Sequence, residues 1–211
     1  MRPAIASDRR RIGGRTMAAM SARVVPLLCL ITLLGCATDP ALHDPGASGS
    51  TPVATHPWIG RDVLTQTVLH PDPKAARLYS INYQQGGVIP ICTPVHVVAL
   101  DDAQMTFTVG AVTYTYLFRP EFMVEGISVH LGRYFGDTCD RGDALSQADR
   151  EGIAAGRVAP GMSKTGVIKA IGYPPPHATG DLAAAQWRYW KNRFDTFIVH
   201  FEGDLVARVQ E

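Results

Sequence analysis

Apolar and polar positions follow two different rhythms along the chain. Over residues 58–135 they come in short alternating runs broken by tight-turn residues, the pattern of β-strands. Leu78-Tyr79-Ser80-Ile81-Asn82-Tyr83 alternates and then meets Gly86-Gly87. Residues 88–100 are β-branched and apolar, with Pro90 and Pro94 confining those parts to strand ends or a sheet edge. Asp101-Asp102 marks a turn, residues 105–109 and 112–118 predict a hairpin around Gly110, and 127–131 predicts a further strand after Gly126. From Ser146 the period lengthens. Residues 147–155 predict a helix stopped near Gly156, and 164–171 a second one opened by Ser163 and ended by Gly172 and Pro174. Strands are then expected at 186–193, 196–202 and 205–209. The fold class predicted is α+β: a β-rich domain over 58–145, as a small antiparallel barrel or sandwich, then a two-layer ααβββ domain over 146–211.

The first 57 residues follow neither rhythm. Arg9, Arg10, Arg11, Arg15 and Arg23 precede an apolar run over 24–34, the order of a secretory signal, with Met1, Met17 or Met20 as its start. That run is shorter than the roughly 20 apolar residues a membrane-spanning helix needs. It ends in Leu33-Leu34-Gly35-Cys36, which resembles the lipobox of bacterial lipoproteins. The resemblance implies that residues 1–35 are cleaved and that the Cys36 thiol carries the lipid, palmitate among its acyl chains. Several chains on one residue make a stable anchor where a single chain binds marginally. Ala37 after Cys36, rather than Asp, implies sorting to the outer membrane, on its periplasmic side. The alternative is a plain secretory signal in which Cys36 is incidental. Residues 36–57 are rich in Pro, Gly, Ser, Thr, Ala and Asp, and read as a flexible tether rather than an ordered arm.

Two further resemblances concern the body. Val88-Ile89-Pro90-Ile91-Cys92-Thr93-Pro94-Val95 resembles a strand of bacterial SH3-like domains. Gly161-Met162-Ser163 opening a helix, Ile171-Gly172-Tyr173-Pro174 closing it, then Trp187-Arg188-Tyr189 and two more strands resemble the SmpA/OmlA family, BamE-like domains of the outer-membrane assembly machinery. That resemblance covers residues 150–211 and implies a role in envelope assembly through exposed sheet or loop surface. The β-rich residues ahead of it are a departure from the assembly subunit. Each element also has a local physical reason. Ser163 can satisfy an orphan helix N–H, Val167, Ile168 and Ile171 form one stripe, and Trp187 and Tyr189 share a strand face opposite Arg188 and Trp190. Trp187 is expected in the core. Trp190, Arg193 and Phe194 are candidates for a protein contact, since Trp and Arg dominate interface hot spots; the alternative for Trp190 is rim packing.

Composition narrows the function classes. Apolar residues make up 46% of the chain, which rules out wholesale disorder. Removing residues 1–35 leaves 14 basic and 18 acidic residues, a net charge of −4 that argues against a nucleic-acid partner. Cys92 and Cys139 face an oxidising compartment. They can pair, closing a loop of about 46 residues, remain two buried thiols, or supply a thiolate beside His96 or His130. The seven His residues show no metal-ligand spacing, and His96, His130 and His200 each fall in an expected strand. Residues 137–143 lack the closing Glu of a calcium loop. No nucleophile elbow, phosphate loop or dinucleotide fingerprint is present.

The sequence therefore points to a non-enzymatic outer-membrane lipoprotein with no cofactor, no metal and no evident small-molecule substrate. It would meet the membrane through its lipid anchor and an envelope protein through its surface. The alternatives are a cell-wall or peptide binding module, an enzyme inhibitor by analogy of fold, and a thiol hydrolase using Cys92.

Overall fold

The computed structural model describes residues 56–211. The signal segment, Cys36 and all but the last two residues of the expected tether lie outside them. The described residues belong to one compact unit. The described part is mixed α+β, with nine strands and three helices.

Six strands form one curled sheet: β1 (Asp62–Thr65), β2 (Arg77–Tyr79), β3 (Pro94–Leu100), β4 (Gln104–Val109), β5 (Val112–Leu117) and β6 (Phe135–Gly136), in the order β2-β5-β4-β3-β1-β6. The β4–β5 hairpin turns at Gly110, whose φ of 56° is open to a residue without Cβ. The antiparallel barrel or sandwich expected from the sequence is corrected in one respect: β2 pairs with β5 in parallel. Only Pro94 and Val95 of the run 88–95 belong to β3; Pro94 starts the strand because it lacks the N–H that a strand interior needs. The expected 78–83 strand also shortens. It stops at Tyr79, and Asn82 takes a left-handed φ of 59°.

Residues 127–131 are not a strand. They open helix α1 (Ile127–Tyr134), so His130 is helical too. His130, Leu131 and Tyr134 recur at helical spacing and are its buried face, which outweighs the β preference of Ile127 and Val129. The two later helices, α2 (Gln147–Ala155) and α3 (Lys164–Ile171), have the bounds read from their caps. Strands β7 (Gln186–Trp190), β8 (Thr196–Glu202) and β9 (Leu205–Gln210) form a second, antiparallel sheet in chain order.

Two hydrophobic clusters fill the interior. One gathers Val97, Met105, Phe107, Tyr116, Leu131 and Phe135 under the six-stranded sheet. The other packs Met162 and Val167 against Trp187, Tyr189, Val199 and Phe201 of the small sheet. Trp187 and Tyr189 are fully buried, while Arg188 is exposed on the opposite face. Cys92 and Cys139 form a disulfide, with Cα atoms 5.5 Å apart, at the edge of the second cluster. A cross-link of this span stabilises a fold by roughly 2–4 kcal/mol.

Asp149 organises the helices. It is buried to 2% exposure and accepts hydrogen bonds from the backbone N–H of Ser163 at 2.6 Å and the hydroxyl of Ser146 at 2.8 Å. Ser146 and Ser163 cap α2 and α3, so one carboxylate joins two helix N-termini. Gly166 fits because a Cβ there would overlap the Asp149 carboxylate.

Candidate functional site

The C-terminal end of α3 leaves carbonyls with no partner inside the helix. The segment after β2 supplies donors to them. Asn82 Nδ2 donates to the carbonyls of Ile171 and Tyr173, both at 2.8 Å, and Gln84 Nε2 donates to Ile171 at 3.0 Å. The Gln84 backbone N–H donates to the Trp190 carbonyl at 2.8 Å. These bonds fix Tyr83 beside the end of β7.

After Trp190 the chain reverses at residues 191–195. Asn192 Oδ1 accepts from the N–H groups of Phe194 and Asp195 at 2.9 and 3.1 Å, which sets the direction of Arg193. On the other side, Pro174-Pro175-Pro176 ends in a turn in which the N–H groups of Ala178 and Thr179 donate to Pro175. His177 projects from this turn, between Phe122 at 4.6 Å and Trp190 at 5.1 Å between ring centroids. Phe122 belongs to a single 3₁₀ turn, Pro120–Phe122.

The result is a cleft with aromatic walls. Two adjoining recesses of about 600 and 630 Å³ share Tyr83 and Arg193. Phe122, His177 and Trp190 form one wall of the first, with Arg119 and Arg193 at its margins. Tyr79 and Tyr83 stand 5.2 Å apart in the second, and the Arg119 guanidinium lies 5.4 Å over Tyr79. Among the described residues neither Arg119 nor Arg193 pairs with a carboxylate. Lys191, by contrast, pairs with Glu211 at 3.1 Å. Partial burial lowers the His177 pKa, so its ring is neutral near pH 7 and adds no positive charge to these walls. The Oε1 atom of Gln84, at the edge of the second recess, is buried with no hydrogen-bond partner among the described residues.

The residues singled out by sequence divide accordingly. Trp190 and Arg193 line this cleft, Trp190 half-buried and Arg193 exposed. Phe194 is 88% exposed on the turn and is not part of the lining; its ring lies 5.6 Å from the Arg193 guanidinium. Cys92 and Cys139 are bonded to each other, so neither offers a thiolate, and the thiol-hydrolase alternative loses its nucleophile. Cys36 falls outside the described residues. Sequence reasoning missed Tyr83, Gln84, Arg119, Phe122 and His177, which come from separate segments and carry no shared spacing.

Four histidines outside the cleft have local partners. His130 Nε2 lies 2.7 Å from the Tyr116 hydroxyl, and burial, with the Arg133 charge nearby, pushes the His130 pKa down to about 4. Burial pushes the Tyr116 hydroxyl well above its ordinary value. His70 is buried against the Ala170 carbonyl at 3.1 Å, its pKa lowered by burial. His96 contacts Asp62 at 2.8 Å on the surface, and His200 contacts Gln210 at 2.9 Å. A crevice of about 20 Å³ beside His130 and Tyr173 has room for one water. No group of three metal-ligating side chains gathers among the described residues.

No family model matches the chain, and no curated protein or solved structure matches it either.

Proposed function

We propose that this is a non-enzymatic lipoprotein of the outer membrane, anchored through Cys36 and facing the periplasm. It serves as a scaffold or accessory in envelope assembly or maintenance through protein contacts at the aromatic cleft. The observation that carries the reading is the pair of guanidiniums, Arg119 and Arg193, set beside Tyr83, His177 and Trp190 with no ion pair among the described residues. Arg, Trp and Tyr are the residues that dominate protein-interface energetics. The lipobox order, the proline- and glycine-rich stretch after it, and the SmpA/OmlA-like order of motifs over residues 150–211 support the same reading.

A photo-crosslinking residue at position 178, exposed beside His177, in the tagged full-length protein within intact envelopes, tests the contact. The expected result is a discrete protein adduct from 178 and none from the β4–β5 turn at 111. Absence of any adduct from a membrane-held, folded protein overturns the reading. The anchor has its own test: Cys36→Ser should release the protein from the membrane fraction. The cell-wall alternative is favoured by the cleft's volume and ring-lined walls, which suit a sugar as well. Cosedimentation with purified sacculi, lost on removing His177 and Trp190 rings, would decide for it.

A further inference from the structure

We propose that the cleft takes an extended peptide segment bearing a carboxylate side chain next to an aromatic one. This rests on the reading of the cleft as a protein-contact surface and gives that surface a ligand chemistry. Charge comes first. The wall formed by Phe122, His177 and Trp190 carries Arg119 and Arg193 against the single carboxylate of Glu121. In the adjoining recess the carboxylates of Asp72 and Asp195 offset Arg193, and Lys191 is paired with Glu211, so the excess of positive charge lies in the first recess. The cations left to an incoming group are the two guanidiniums, whose planar donor forks match a carboxylate.

The rings supply the second element. Phe122, His177 and Trp190 make a ladder tilted by 38–39° between neighbours, offering faces and edges to a planar group. Strand addition is not available along β7. The Arg188 N–H is taken by Thr179 Oγ1 at 3.1 Å and the Trp190 carbonyl by Gln84 at 2.8 Å. Side chains must therefore carry the recognition, in contrast to sheet-edge binding.

Fluorescence anisotropy with the full-length protein and three labelled probes tests this. The probes are an octapeptide alternating Glu and Phe, the same peptide with Gln for Glu, and a chitin tetrasaccharide. The acidic peptide is expected to bind at least tenfold more tightly than the Gln peptide and than the saccharide. The double variant Arg119→Gln/Arg193→Gln should lose that preference. Trp190→Leu should weaken both peptides at least fivefold; because it can disturb the fold, exposed His177→Ala is measured beside it, with thermal unfolding of every variant. Equal affinity for the two peptides, unchanged binding in the double variant, tighter binding of the saccharide, or no acidic-peptide binding at millimolar concentration overturns the proposal. An envelope adduct from position 178 that persists in the double variant overturns this chemistry but leaves the protein-contact function. Selective peptide binding without any envelope adduct does the reverse.

Discussion

Two places in this molecule concentrate polar groups, and they are arranged in opposite ways. At Asp149 a buried carboxylate meets donors from Ser146 and Ser163, and no capacity is left over. At the cleft, Arg119 and Arg193 stand exposed beside rings and form no ion pair among the described residues, although Glu121 and Asp195 share the lining. A satisfied polar centre fixes the fold, since breaking it strands buried groups at high cost. Charges left unpaired on a rigid frame are available to something outside the chain. The same residue chemistry thus serves structure in one place and recognition in the other.

The largest effect that this contrast predicts is at Asp149. Asp149→Ala leaves the Ser163 N–H and the Ser146 and Ser163 hydroxyl protons without their acceptor, and should cost about 3–5 kcal/mol, from several hydrogen bonds to a charged group lost and their buried donors unsatisfied. Urea unfolding followed by circular dichroism measures it. A loss under about 1 kcal/mol would mean that the junction is not the structural centre claimed.

Acid should act next most strongly, through His130. Its pKa is 6.5 unfolded and about 4 in the fold, so the unfolded chain binds a proton that the folded one refuses between those values. Stability is fully present above pH 6.5, falls as pH drops toward 4, and levels below that, for a total loss of about 3 kcal/mol. The lowered pKa of His70 acts in the same direction. Comparing urea midpoints of the wild type and His130→Gln at pH 7 and 4.5 checks this. An equal acid shift in both would clear His130 of the effect.

A smaller effect belongs to one member of the junction. Ser163→Ala removes the side-chain cap of Gly166 N–H at 3.0 Å but keeps the backbone donor to Asp149, so about 1 kcal/mol should be lost in the same unfolding experiment. A cost equal to that of Asp149→Ala would show that the hydroxyl, not the carboxylate, holds the helices together.

The same contrast explains what could be read from the sequence. The bounds of α2 and α3 were legible because Ser146, Gly156, Ser163 and Gly172 are local signals that act on their own neighbours. The hairpin at Gly110 was legible for the same reason. Residues 127–131 misled because Ile127 and Val129 favour strand in isolation. The helical face emerges only when His130 is counted as buried, and its hydroxyl partner, Tyr116, lies on another element. Asp149 carries a weak signal, three residues after Ser146, but nothing local says that Ser163 will join it. The cleft is less legible still. Tyr83, Arg119, His177 and Trp190 come together through the caps that Asn82 and Gln84 place on α3, a tertiary event with no spacing to read.

Phe194 gives the smallest expected effect and the sharpest limit on the cleft. It sits one residue from Arg193 and is 88% exposed, so by composition alone it belongs with Trp190 and Arg193 as a contact residue. Yet it is not among the lining, and its position on the turn is set by its backbone N–H to Asn192 rather than by its ring. Phe194→Ala should therefore change stability by no more than about 0.5 kcal/mol. It should leave affinity for the acidic peptide within twofold of wild type, while Arg193→Gln lowers it. If anisotropy instead shows Phe194→Ala weakening the peptide as much as Arg193→Gln, the recognition surface runs over the turn. The boundary between ring-lined cleft and solvent then has to be drawn outside residue 194.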